Sequence, residues 1–133
     1  MTEKQREDLR KQLVRQFTRN NRNWTYNGTC FEMRGSFGWR DLNVWATFQN
    51  LESALEMEMY YHGGIPFYKE PDLPRVKCRF TGDDRFGQAI DKIAEYLERL
   101  AEAVLPIREE NTERSQEYDA KICAAVRAIV FKK

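Results

Sequence analysis

The chain has 133 residues, 22 Lys+Arg against 21 Asp+Glu, a formal net charge of +1, and is 41% hydrophobic and 13% aromatic. That length suits one domain, 1–133, with a core of its own, and the composition excludes a disordered chain. No run approaches the ~18 apolar residues that a membrane-spanning helix needs, and Cys30, Cys78 and Cys123 are too scattered for a disulfide framework or a zinc knuckle.

Residues 3–19 read as an amphipathic helix. Leu9, Leu13 and Phe17 recur every four residues with Val14 beside them, and the Asn-rich "NNRN" that follows is a plausible stop. A β region comes next. Residues 29–35 alternate Phe31 and Met33 with Glu32 and Arg34, and residues 39–48 alternate Leu42, Val44, Ala46 and Phe48 with Asn43, Trp45 and Thr47. Between them "GSFG", residues 35–38, reads as the tight turn of a hairpin. Residues 53–61 repeat the two-residue period with Leu55, Met57, Met59 and Tyr61 inward, and residues 75–80 put Val76, Cys78 and Phe80 inward and Arg75, Lys77 and Arg79 outward.

"TGDDRF" marks a helix start, with Asp83 or Thr81 as the cap. Phe86, Ile90, Ile93, Leu97, Leu100 and Val104 then follow a three-four spacing until Pro106 ends or kinks the helix. From about Glu109 a last helix carries Tyr118, Ile122, Ala125 and Ile129 on one seam. The expected fold is α+β, ordered α-ββββ-α-α: an N-terminal helix, a four-stranded antiparallel sheet, and a C-terminal helical hairpin packed on one sheet face. The seam over residues 90–104 serves either that packing or a homodimer.

The stretch "MYYHGGIPFYKEPDLP", residues 59–74, holds the only histidine, His62, a Gly-Gly pair and two prolines. Catalysis at His62 needs a partner within hydrogen-bond reach. The sequence offers no local one, although Cys30 could approach it across the sheet. The simpler reading is a stiff connection whose aromatic residues recognise something. Glu56 and Glu58 could form an acid/base pair, but Arg75, Lys77 and Arg79 on the adjacent strand make a cross-strand charge ladder simpler. "GSFG" lacks the helical context of a nucleic-acid-clamping GxxG loop. No phosphate-binding glycine motif and no metal-ligand spacing occurs, so neither cofactor nor metal is expected.

Charge is uneven: residues 1–40 carry nine Lys/Arg against four Asp/Glu. On the first helix Lys4, Lys11, Arg15, Arg19 and, if the helix reaches it, Arg22 fall in an arc of about 80° opposite the apolar stripe, diluted by Asp8. If all helices cover one sheet face, the other shows Asn43, Trp45, Thr47, Glu56, Glu58, Tyr60, Arg75, Lys77 and Arg79, a mixture of aromatic and arginine residues that interfaces favour.

The expected function is therefore non-enzymatic binding of another protein, as an adaptor, chaperone or small inhibitor of the kind phages and mobile elements carry. The binding residues are Trp45, Tyr60, Tyr61, His62, Phe67, Tyr68, Arg75 and Lys77, on the open sheet face and the 60–72 loop. The alternative is nucleic-acid binding through Lys4, Lys11, Arg15, Arg19, Arg22 and Arg79. The polar start "MTEKQREDLRKQL" and the free cysteines lead to the expectation of a cytoplasmic protein.

Overall fold

The computed structural model describes residues 2–20, 23–62, 73–110, 115–129 and 131. Helix α1 spans Glu3–Asn20, and five strands follow: β1 (Thr25–Tyr26), β2 (Phe31–Trp39), β3 (Leu42–Asn50), β4 (Ala54–Tyr61) and β5 (Val76–Thr81). Helices α2 (Arg85–Glu110) and α3 (Gln116–Arg127) complete the order. The strands form one antiparallel sheet in chain order, β1-β2-β3-β4-β5. The expected α+β architecture is therefore present with one strand more. β1 has two residues, too few to show any period in the sequence.

The alternation in the strands sorts the chain into two sides. Met33, Phe37, Leu42, Val44, Ala46, Phe48, Leu55, Met57, Met59 and Tyr61 all turn to the helices and are buried. Phe31 shares their phase but lies at the sheet corner, where it is half exposed and packs on Tyr26 at 5.2 Å. α1 contributes Leu9, Leu13 and Phe17 to the same core, and Phe17 meets Phe48 edge-on at 5.6 Å. Val14 is 48% exposed. One residue turns the helix by about 100°, so Val14 leaves the seam that Leu13 defines.

The hairpin between β2 and β3 is not where the glycines are. β2 runs straight through Gly35–Gly38, and the chain reverses at Arg40–Asp41, both with positive φ (49° and 65°). Two positive-φ residues are what a I′ connection requires. The glycines serve close approach instead. A Cβ on Gly35 would stand 2.7 Å from the Asn20 amide nitrogen, and one on Gly38 would stand 2.5 Å from Asn43 Oδ1. Along this strand α1 acts as a clamp: Gln12 and Gln16 Nε2 donate to the Gly38 carbonyl at 3.0 and 3.1 Å, and the Gly38 N–H donates to Gln16 Oε1 at 3.1 Å.

The cap of α2 is Asp84, one residue past Asp83 and three past Thr81, the two caps proposed from sequence. The Asp84 carbonyl accepts the Gln88 N–H at 3.0 Å, and its carboxylate overlies Gly87. α2 then passes Pro106 and runs one more turn. Proline cannot donate to the Glu102 carbonyl, but both residues are exposed and water can satisfy that oxygen. The last turn is tied down by Arg108, whose Nη2 donates to the Tyr61 hydroxyl at 3.0 Å.

α3 begins at Gln116 rather than near Glu109, capped by the Ser115 side chain, which accepts the Tyr118 N–H at 3.2 Å. It packs Tyr118, Ile122 and Val126 against α2, while α1 and α2 lie on the sheet itself. Ile93, Leu97, Leu100 and Val104 are fully buried within this one chain and Ile90 is half-buried, so most of the 90–104 seam packs intramolecularly. Phe131 closes over α2, stacked on Tyr96 at 5.4 Å beneath Arg99 and Lys92. Among the described residues, no helix is long and apolar enough to cross a membrane.

Asp41 holds φ 65° without glycine's freedom. Asp41→Gly is expected to raise stability by about 1 kcal/mol, read as a higher midpoint in denaturant, because left-handed backbone is strained for residues with a Cβ. A lower midpoint would contradict the turn assignment.

Candidate partner-binding face

Because both sheet-covering helices lie on one side, the other side of the sheet is uncovered among the described residues. The registers arrange its side chains in rows across the strands. Glu32, Gln49, Glu56 and Arg79 form the first row; Arg34, Thr47, Glu58 and Lys77 form the second. Ser36, Trp45 and Tyr60 form the third, with Arg75 leaning over Tyr60, its Cζ 4.8 Å from the ring centre. His62 follows in the fourth, its N–H donating to the Asn43 carbonyl at 2.8 Å. The twisted sheet makes this surface concave, a hollow of about 680 Å³.

At one end of the hollow the rings cluster. The His62 ring lies 6.0 Å from Trp45 and 6.4 Å from Tyr60, and both larger rings are half-buried. At the other end charge dominates. Arg79 pairs with Glu56 at 3.2 Å and Arg75 with Glu58 at 3.1 Å, so the cross-strand ladder expected from sequence is present. Glu32 accepts from Asn27 at 2.7 Å and from Gln49 at 3.2 Å. Lys77 and Arg34 have no carboxylate within ion-pairing distance among the described residues. They flank the second row at its two ends.

Five of the eight sequence-derived binding residues, Trp45, Tyr60, His62, Arg75 and Lys77, come together on or beside this face. Tyr61 does not. It is 4% exposed and faces the helices, as strand alternation demands for the neighbour of an outward Tyr60. Phe67 and Tyr68 lie outside the described residues, as does Arg22 of the alternative set. Arg34 and Glu32 were missed as site residues. The same period that turns Met33 inward turns them outward, so extending the alternation across β2 finds them.

Cys30 and His62 are not neighbours. Cys30 precedes Phe31, which pairs with Asn50, whereas His62 lies beyond the Val44–Tyr61 pair at the other end of the sheet. Seven residues of strand separate those ends, roughly 20 Å. Cys30 is buried in a turn where its N–H donates to Asn27 Oδ1 at 2.9 Å. Cys78, half-buried on the helix side of β5, has its thiol pKa raised by burial, with Lys92 opposing and Glu95 adding to the shift. Its thiolate fraction is therefore reduced. Among the described residues, no group of three His, Cys, Asp or Glu could hold a metal ion.

The other sequence candidate, the basic stripe on α1, is also exposed. Arg6 and Arg10 pair with Glu98 and Asp91 of α2. Lys4, Lys11, Arg15 and Arg19 face solvent with no ion-pair partner among the described residues, and Val14 lies between them. This stripe is on a different side of the molecule from Arg79, which belongs to the sheet.

No protein-family model, no curated protein and no solved structure matches the chain.

The Glu56–Arg79 side chains are each more than a third exposed. A double-mutant cycle with Glu56→Gln and Arg79→Gln should therefore give a coupling of only ~0.5 kcal/mol, falling further in high salt. A coupling above ~2 kcal/mol would mean that the pair is shielded and the face is covered.

Proposed function

We propose that this protein is a non-enzymatic binding module that grips another protein with the uncovered face of its sheet. One observation carries the reading: Trp45, Tyr60 and His62 gather on a concave sheet face with Arg75 over Tyr60, and no described element packs on them. Half-buried Trp and Tyr beside arginine are the residue types that dominate interface energetics, because each brings a large rigid area with a polar tip. The surrounding mixture of paired and free charges supplies a polar rim that orients a partner without attracting nucleic acid strongly.

A second reading rests on a separate observation, the exposed Lys4, Lys11, Arg15 and Arg19 along α1, which have no ion-pair partner among the described residues. A stripe of that kind lies along phosphates and gives affinity that falls steeply with salt. The three carboxylates on the sheet face make that face a poor phosphate surface, so nucleic-acid binding would belong to α1 alone.

Affinity capture from source-cell lysate, with and without nuclease, separates the two. The first reading expects a stoichiometric protein partner that survives nuclease. Trp45→Ala and Tyr60→Ala should each weaken its binding by ~2 kcal/mol or more, about thirtyfold, with the melting curve unchanged. Unchanged affinity in both variants would overturn it. Partners that vanish with nuclease, and with Arg15→Glu, would move the function to α1.

A further inference from the structure

The two edges of the sheet are finished differently. In an antiparallel sheet the residues whose peptide groups face a given neighbour alternate along each strand. The His62 N–H to Asn43 carbonyl bond fixes the phase of that alternation. Carried across the registers, it turns the peptide groups of Arg34, Ser36 and Gly38 outward on β2, and those of Lys77, Arg79 and Thr81 outward on β5. On the β2 side, β1 pairs up to Glu32 and the Gln12 and Gln16 carboxamides close Gly38 as a strand would, so Arg34 and Ser36, which also lack a backbone partner there among the described residues, are bracketed at both ends. On the β5 side only the Thr81 carbonyl is closed, by Gln88 Nε2 at 3.0 Å. Among the described residues, the peptide groups of Lys77 and Arg79 have no partner beyond β5.

We propose that β5 is a docking edge for an extended segment of another protein, which adds to the sheet as a sixth strand and alternates acidic with apolar side chains. Main-chain bonds to Lys77 and Arg79 supply affinity, and side-chain alternation supplies specificity. On the open face, acidic residues of the added strand stand beside Lys77 and Arg79 as cross-strand neighbours. Among the described residues Lys77 has no ion-pair partner, and Glu58, its neighbour in β4, is held by Arg75. On the helix side, apolar residues of the added strand meet the half-buried Val76 and Cys78. A second copy of this chain is the wrong occupant, since β5 against β5 sets Lys77 and Arg79 opposite like charges. The inference rests on the protein-binding reading but not on Trp45, and it names the chemistry of the partner.

The test selects random decapeptides displayed against the full chain and measures the enriched ones by fluorescence polarisation. The proteins compared are the wild type, Lys77→Pro, Lys77→Glu and Trp45→Ala. Lys77→Pro removes an N–H that points away from β4, a place where an edge strand tolerates proline. Lys77→Glu keeps the backbone intact should the proline variant misfold by circular dichroism. The expected peptides alternate Asp or Glu with Val, Ile or Leu, lose about tenfold or more in affinity with both Lys77 variants, and slow amide exchange at Lys77 and Arg79 when bound. Absence of enrichment, enriched peptides without the alternation, or affinity indifferent to both Lys77 variants overturns the proposal. So does protection of those two amides in the free monomer. Peptides that lose binding only with Trp45→Ala overturn the edge and leave the open-face reading standing. Peptides that lose binding with the Lys77 variants and not with Trp45→Ala support the edge.

Discussion

The whole arrangement depends on one asymmetry: every long strand is apolar on one side only, and one layer of helix covers that side. Each Leu, Met or Phe buried there contributes about 1.5–3 kcal/mol relative to leaving it in water. Leu9, Leu13 and Phe17 of α1 and Ile93, Leu97 and Leu100 of α2 complete the same core. α3 could have crossed to the other side of the sheet. It caps α2 instead, because its Tyr118, Ile122 and Val126 meet a helix surface that is itself apolar. The far side of the sheet is left to side chains that are stable in water without a cover.

Those side chains bear the marks of that requirement. The carboxylates Glu56 and Glu58 are each met by an arginine, and Glu32 by two amides. The pairs are exposed enough that their worth to folding is small. What they do is fix the charge pattern of a concave surface, with Lys77 and Arg34 at its flanks without an ion-pair partner among the described residues and the Trp45–Tyr60–His62 rings at one end. The fold thus arranges this face through the phase of four strands rather than through any single special residue. The edges obey the same economy. Glutamines from α1 close Gly38 of β2 because that helix packs along it, while among the described residues the outward peptide groups of Lys77 and Arg79 on β5 have no partner.

Much of this was legible in the sequence, and the failures share a cause. Two-residue alternation over 53–61 and 75–80 placed Tyr60, Arg75 and Lys77 on one face correctly, and the spacing of Leu9, Leu13 and Phe17 placed α1. Glycine misled the reading of the first hairpin: in "GSFG" it signals close approach to Asn20 and Asn43, whereas the turn uses Arg40 and Asp41, which carry no turn signature. Tertiary packing overrode local signals at Pro106, where α2 continues because its last turn is anchored to Tyr61. Tyr61 itself was assigned to the binding surface by its neighbours in sequence rather than by its phase. That Cys30 could approach His62 stayed open in the sequence because distance along a strand is invisible until the register is known.

The central claim is that the face carrying Trp45 and Tyr60 is open to solvent while the alternate residues are sealed. Hydroxyl-radical footprinting of the folded chain, read residue by residue by mass spectrometry, tests it most directly. The account predicts strong labelling of Trp45, Tyr60 and His62 and weak labelling of Met33, Met57, Phe48 and Tyr61. Trp45 and Tyr60 as protected as Phe48 would show that the face is covered, and the proposed binding role of this face would fall.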